Sequence, residues 1–350
     1  MTVKVLFLGP EGTYSHQAAI QQFSHLVDYN VVYEAVDSIP SCVDKLIEHD
    51  NDIEDVDLYS VVPLENSTNG QVVFTYDILR NLMQGSNGTN MRIRENQVVA
   101  PITIVGEQYV SILHCLISPD PSIGIESLQN YDTLKIYSHP QVWGQVSKYL
   151  VELQKRFPNL KLERINCNST SEAVLQAAEE QSSSQSSGIL NLAIASEIAA
   201  SIYQCYIIQH SINDILGNTT RFLVFKKKSN HRRLLAPPSA TPQRVSLLTF
   251  TIKQDDPGSL VEVLSVLKDF SLNMCSISSR PYLLRSEQIS QQGENFRRRN
   301  WQYIFFIEFY IEQDKEFDKD KFCDRIDALC GDWCHWGRFP RDICYYKNTA

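Results

Sequence analysis

Val3-Lys4-Val5-Leu6-Phe7-Leu8-Gly9-Pro10-Glu11-Gly12-Thr13-Tyr14-Ser15 reads as a buried strand broken by a polar turn, and His16-Gln17-Ala18-Ala19-Ile20-Gln21-Gln22-Phe23 then turns helical. The same grammar recurs along the chain. Leu58 to Leu64 leads into Glu65-Asn66-Ser67-Thr68-Asn69-Gly70, Leu134 to Tyr137 leads into Ser138-His139-Pro140-Gln141, and Leu192 to Ala195 leads into Ser196-Glu197-Ile198-Ala199-Ala200. Strands alternating with helices predict an α/β fold with largely parallel sheets, which take ligands beyond the carboxyl ends of their strands. The polar turns sit at those ends.

The stretch 108–209 holds at least two strand-and-helix units of its own, which predicts a second lobe inserted into the first, the chain returning over Ile212 to Phe225. Lys226-Lys227-Lys228, His231-Arg232-Arg233 and the run Ala236 to Pro242 combine charge with proline and mark a linker over 227–243. A nuclear address has a similar basic cluster, but a solvated linker is the expectation. Beyond it come a strand at 245–252, an amphipathic helix at 258–270, strands at 277–284 and 301–311, a helix at 322–329 and a closing strand at 336–339. That β-α-β-β-α-β order is the ferredoxin-like arrangement. Residues 285–300 form a hydrophilic excursion within it, and 181–188 is a low-complexity joint in the preceding half.

With 350 residues, 43% of them hydrophobic and 21% charged, the chain can fill two or three domains. A net charge of -9 argues against nucleic acid and anionic membrane as partners, so an anionic ligand must be held by local donors. The opening apolar run, Val3 to Leu8, is too short for a signal-peptide core or a membrane span, which makes a cytoplasmic protein the expectation. Nine cysteines without regular spacing fit reduced thiols. Cys330 and Cys334, with His335 after them and Cys323 upstream, have the spacing of half a zinc site, but no second pair stands at finger distance and burial as small hydrophobes is expected. No strand is followed by a dinucleotide-binding glycine signature, and no cofactor is implied.

A helix start presents unpaired N–H donors, so Thr13 and Ser15, Asn66 and Ser67, and Ser138, all assigned by the pattern to helix starts, can together cradle carboxylates without a metal. Any one of them alone is accounted for by ordinary N-capping. Gly217-Asn218-Thr219-Thr220-Arg221-Phe222 adds a hydroxyl beside a fixed cation where a polar turn enters the apolar Leu223-Val224-Phe225. A pocket for a small, doubly charged acid is the expectation.

The blocks Gly9 to Ser15, Pro63 to Ser67, Ser138 to Gln141 and Thr220-Arg221-Phe222, with Asn168 to Ala173 and Ala195 to Ala200 between them, resemble the signature blocks of prephenate dehydratases in their family order. The tail resembles that family's ACT regulatory domain through Asp256-Pro257-Gly258-Ser259-Leu260 and Ser279-Arg280-Pro281. The resemblance implies a two-lobed catalytic domain of the periplasmic-binding-protein type II fold over 1–226, with lobe one about 1–107 and 210–226 and lobe two about 108–209. It implies an ACT domain over 244–345, and conversion of prephenate to phenylpyruvate, water and carbon dioxide in phenylalanine biosynthesis. Thr220 matches the family's catalytic threonine.

On this reading Thr13, Ser15, Asn66, Ser67, Ser138, His139, Gln141, Thr219 and Arg221 hold the substrate. Alternation along a strand leaves Arg221 equally open as a structural clamp, and Glu65 is expected to be structural because a carboxylate beside a dianion is unfavourable. His139 either donates a proton or fixes its turn. The resemblance further implies feedback by phenylalanine bound at Gly258, Ser259, Leu260, Asn273 and Arg280, in a homodimer or dimer of dimers. Ser278 stands where the family typically has glutamate, and Ser259 where it has alanine. An arogenate dehydratase and a non-catalytic small-anion receptor are the alternatives.

Overall fold

The first strand, turn and helix form where the periodicity places them: β1 (Thr2–Leu8) leads to α1 (Tyr14–Phe23), whose N-cap Thr13 accepts the His16 N–H in the computed structural model. Described are residues 2–49, 56–85, 91–183, 188–229, 236–253, 257–282, 302–311 and 318–346. Asp256 and the excursion at 285–300 lie outside them. The chain continues through β2 (Asn30–Val36), α2 (Ile39–Glu48), β3 (Val56–Asn66), β4 (Gly70–Gln71), α3 (Val73–Gln84) and β5 (Ile102–Ser111). A second group follows: β6 (Cys115–Ser118), β7 (Thr133–Ser138), α4 (Ser147–Arg156), β8 (Lys161–Asn166), α5 (Thr170–Ser183), β9 (Ile189–Ala195), α6 (Glu197–Ile202) and β10 (Tyr206–Gln209). β11 (Thr219–Lys227) then returns to the first group.

Two sheets result, ordered β2-β1-β3-β11-β5, with β4 paired to β3, and β10-β6-β9-β7-β8. Each is mixed, not largely parallel. β1 pairs in parallel with β2 and β3, and β7 with β8 and β9, whereas β11 is antiparallel to both its neighbours and β6 is antiparallel to β9 and β10. The reason lies in the crossings between the two sheets, whose strands enter at the edge or middle and run back against the βαβ units. The expected boundary at 107/108 falls inside β5, because that strand pairs with β11 from Ile102 to Ser111.

The C-terminal part comprises β12 (Ala240–Ile252), α7 (Ser259–Asp269), β13 (Asn273–Tyr282), β14 (Gln302–Ile311), α8 (Lys319–Leu329) and β15 (Cys330–Asp342). Its sheet is ordered β13-β14-β12-β15 with every pair antiparallel. The proline-rich run predicts no strand before 244, yet β12 already includes Pro242. The pairing with β15 shifts between Ala240 and Arg244, and at such an irregularity a missing N–H removes no ladder bond.

One face of this sheet closes on α7 and α8 through Phe250, Val263, Leu267, Ile307, Ile326 and Trp333. The other face buries Leu247, Ile304, Phe306 and Trp336 in one continuous core with Leu64, Tyr76, Leu79, Ile102 and Leu223 of the first sheet and α3. Side chains of this size contribute about 1.5–3 kcal/mol each on full burial, so packing, and not a tether, joins the two parts. Backbone bonds reinforce it, Trp333 N–H to Asn96 O at 2.9 Å and Val98 N–H to Trp333 O at 2.8 Å.

Candidate active site

Thr220 is the second residue of β11 and sits between Asn66 on β3 and Val110 on β5. The Asn66 side-chain N–H donates to Thr220 Oγ1 at 2.9 Å and to Asn218 Oδ1 at 2.7 Å. Thr68 N–H (3.0 Å) and Asn69 N–H (2.8 Å) both donate to Asn66 Oδ1, which fixes which end of the amide is oxygen. Ser67 closes the cluster: its N–H donates to Thr219 O and its hydroxyl accepts the Thr219 N–H, both at 2.9 Å. The fold therefore brings Asn66, Ser67, Thr219 and Thr220 together. Asn66 and Ser67 do so from a β3–β4 hairpin and not from a helix start as expected, for α3 begins only at Val73.

The neighbouring side chain points the other way, as the pleat requires. Arg221 is 3% exposed, and its guanidinium meets Glu65 at 3.0 Å, Glu107 at 2.7 Å and Glu308 of β14 at 2.7 Å. Arg341 of β15 adds a second cation on Glu107 at 3.0 Å. Burial disfavours charge on Arg221, but Glu308 and Glu107 more than offset it and hold its pKa well above the ordinary value. Burial pushes the Glu107 carboxyl up, against the pull of Arg221 and Arg341. With its donors committed to three carboxylates, Arg221 is a clamp between β11, β5 and the C-terminal sheet, and it has no donor left over for the substrate contact expected of it. The β3 register slips next to Arg221, where Pro63 lacks an N–H for the ladder.

The remaining expected substrate residues are spread over both halves. Thr13 caps α1 and donates to Leu8 O or Pro10 O. Ser15 is buried in the first turn of α1. Ser138 ends β7, fully buried, with its hydroxyl on Ile194 O at 2.7 Å; a short 3-10 turn, Pro140–Val142, and not an α-helix, comes next. His139 caps that turn by accepting the Gln141 N–H, and Gln141 is exposed.

The loop between β1 and α1 is gripped by the second sheet's helices. Ser196, the N-cap of α6, donates to Gly12 O at 2.9 Å, and Ser171 donates to Glu11 O. Gly12 has φ +81°, and a Cβ there would lie 2.5 Å from Ser171 Oγ and 3.0 Å from Ala199 Cα. Gly12→Ala is expected to cost about 1–3 kcal/mol for the left-handed backbone alone. A shift of the urea midpoint to lower concentration at unchanged slope checks this.

A second chain of polar groups, which sequence reasoning missed, runs from this cluster into the crossing between the sheets: Asn218 to Gln145, Gln145 to His114, and His114 to Tyr14. Asn218 and Tyr14 stood within quoted blocks, Gly217 to Phe222 and Gly9 to Ser15, but without a role of their own. The others lie far apart in sequence. A cavity of about 710 Å³ lies beside it, lined among others by Tyr14, Gln17, Gln21, Gln108, Leu113 and Ser196, but by neither Thr220 nor Asn66.

Of the expected effector residues, Gly258 caps α7 at φ +96° with nothing within 4 Å of the place a Cβ would take, so backbone conformation and not crowding calls for glycine. Ser259 and Leu260 open α7, and Asn273 donates to the Tyr310 hydroxyl. Arg280 is paired with Asp77 of α3 at 3.0 Å, and the Ser278 hydroxyl accepts from Gln71 of β4 at 2.7 Å. Both contacts fall on the first group of elements, at α3 and β4. Cys323, Cys330 and Cys334 are buried, burial raises the Cys334 pKa to about 12, and among the described residues no group of three His, Cys, Asp or Glu is placed to hold a metal. Nor is any described helix long and apolar enough to cross a membrane.

The family model for prephenate dehydratase matches residues 5–230. A Saccharomyces cerevisiae relative named "Probable prephenate dehydratase" is 50% identical over 349 residues, 99% of this chain and 99% of its own. Among solved structures, prephenate dehydratase in complex with L-Phe from Arthrobacter aurescens aligns at TM-score 0.62 and 19% identity, covering 97% of this chain and 90% of that one. GqqA, described as a novel type of quorum quenching acylase, aligns at TM-score 0.67 and 19% identity, covering 98% and 99%. At such identities the structural likeness establishes a shared fold alone.

Proposed function

The chain belongs to the prephenate dehydratase family, an enzyme family of aromatic amino acid biosynthesis, and from that premise we propose that Thr220 carries the chemistry, turning prephenate into phenylpyruvate, water and carbon dioxide. In this reaction the bond from the ring to one carboxylate breaks, its electron pair completes the aromatic ring, and the ring hydroxyl departs. The hydroxyl needs a proton or a strong hydrogen bond as it leaves. The observation that carries the reading is that Asn66, oriented by two backbone N–H groups, donates to Thr220 Oγ1. With that lone pair taken, the Thr220 O–H is the group left to donate outward. Such help is worth about 10²–10⁴ in rate, and orientation within the site supplies the rest.

The C-terminal unit acts, on this proposal, as an ACT domain that binds phenylalanine at Gly258, Ser259, Leu260 and Asn273 in a homodimer. What supports communication is the contact of β13 with the catalytic half. Ser278 meets Gln71, which pairs with Glu65, while the next pair along the same two strands is Asn66 with Gly70. A shift of β13 on effector binding is thereby passed to the hairpin that holds Asn66. Assays of phenylpyruvate formation from prephenate, with arogenate alongside and with millimolar phenylalanine added, test both parts. Turnover of prephenate slowed by phenylalanine is the expected result. Equal initial rates with and without phenylalanine would remove the regulation, whereas binding of prephenate without turnover would remove the chemistry.

A further inference from the structure

His114 is 1% exposed and stands where the chain crosses between the two sheets. Its N–H donates to Asn213 Oδ1 at 2.7 Å, and its carbonyl accepts the Ile212 N–H at 2.9 Å, so the returning crossing pins its backbone. Its ring does something else. Nε2 lies 3.0 Å from Gln145 Oε1 and Nδ1 lies 3.0 Å from the Tyr14 hydroxyl.

The direction of the bonds as far as His114 Nε2 is settled from the Asn66 end. Thr68 N–H and Asn69 N–H are donors only, so Asn66 turns its oxygen to them and its NH₂ to Thr220 Oγ1 and Asn218 Oδ1. Asn218, with its oxygen so engaged, presents its NH₂ to Gln145 Oε1 at 3.2 Å. Gln145 therefore shows an oxygen to His114, and the imidazole must answer with Nε2–H. Nδ1 is left as a lone pair facing the Tyr14 hydroxyl, whose single proton is shared between Nδ1 at 3.0 Å and Leu113 O at 2.9 Å. Burial lowers the His114 pKa, which favours the neutral ring that such an arrangement needs. The opposite tautomer puts two lone pairs face to face at Gln145 or forces its amide to turn over. A turned amide sets two NH₂ groups against each other at Asn218, and the conflict ends at Asn66 and Thr220.

We propose that His114 is a positioning residue for the dehydration: as its Nε2–H tautomer it holds Gln145 and Asn218 in the polarity that lets Asn66, oriented by Thr68 and Asn69, keep its bond to Thr220 Oγ1, whose own proton is free for the departing hydroxyl. The inference rests on the role of Thr220 given above. Its place at the crossing of the two sheets also ties this polarity to the relative setting of the two halves, because His114 lies on one connecting segment and is bonded to the other.

The test uses the full chain, with kinetics on prephenate for wild type, His114→Leu and His114→Gln, melting temperatures for all three, and ¹⁵N NMR of histidine-labelled wild type at neutral pH. The His114 signals are assigned by their loss in His114→Gln. His114→Leu should lower kcat by about tenfold or more with KM within about threefold, and His114→Gln, whose amide N–H reaches the place of Nε2–H, should recover most of the loss. The His114 ring should show a protonated Nε2 and a bare Nδ1. Wild-type kcat in His114→Leu overturns the proposal. So does a failure of His114→Gln to recover turnover when both variants melt alike, or an Nδ1–H tautomer in wild type. If His114→Leu does not fold, the tautomer decides. A wild type that binds but does not convert prephenate removes the role of Thr220 instead, and the NMR result still tells whether the polarity is as inferred.

Discussion

Thr220→Ala is expected to lower kcat on prephenate by roughly 10²–10⁴-fold, while the dissociation constant for substrate stays within about tenfold. The side chain removed is small and partly exposed, and Asn66, its donor, keeps Asn218 Oδ1 and Thr219 O as acceptors. Stability should therefore change little, and the loss should fall on the chemical step. Thr220→Ser, which keeps the hydroxyl but not the β-branch that fixes its rotamer, should retain much more turnover than alanine. Single-turnover kinetics with equilibrium binding separate the two quantities. An alanine variant with wild-type kcat would mean that the departing oxygen is met by some other donor.

Arg221→Met should be the most damaging substitution to the fold, by about 3–5 kcal/mol, because it removes a buried cation and leaves its partners charged. Glu308 would lose its bidentate partner, with contacts of 2.8 and 2.7 Å, and Glu107 would keep Arg341 and the Asp342 N–H but lose one of its two cations. These carboxylates lie on β14 and β5, so the damage falls on the junction between the C-terminal sheet and the first sheet. A lower denaturant midpoint is the expected readout, together with earlier proteolytic separation of the two parts. A substrate-clamping arginine would give the contrary pattern: normal stability and a raised KM.

The contrast between these neighbours marks where sequence reading stops. Alternation along a strand made clear that Thr220 and Arg221 point to opposite faces. It left open which of the two turns into the junction with the C-terminal sheet, because that depends on what packs against β11. The answer came from Glu308, 87 residues away, and from Glu107, 114 residues away. The same limit explains Asn66 and Ser67. Their residue types suit a helix start and a hairpin equally well, and the choice was made by pairing of Gly70 and Gln71 back onto β3. The switch from parallel to antiparallel pairing at β11 and β6 was hidden for a similar reason, since an apolar run does not say which way its neighbour runs.

What the sequence determined by itself is the kind of the elements that local periodicity and capping fix, the turns after β3 and β7 excepted. Periodicity and capping act over a few residues, as Thr13, Ser38 and Ser196 show by capping their own helices. The tertiary structure alone decided the company that each polar side chain keeps. Asn66 reaches Thr220 across 154 residues and Tyr14 reaches His114 across 100. Hydrogen bonds are short and directional, so strand register and sheet crossings must first bring such groups within about 3 Å, and no local pattern encodes that distance.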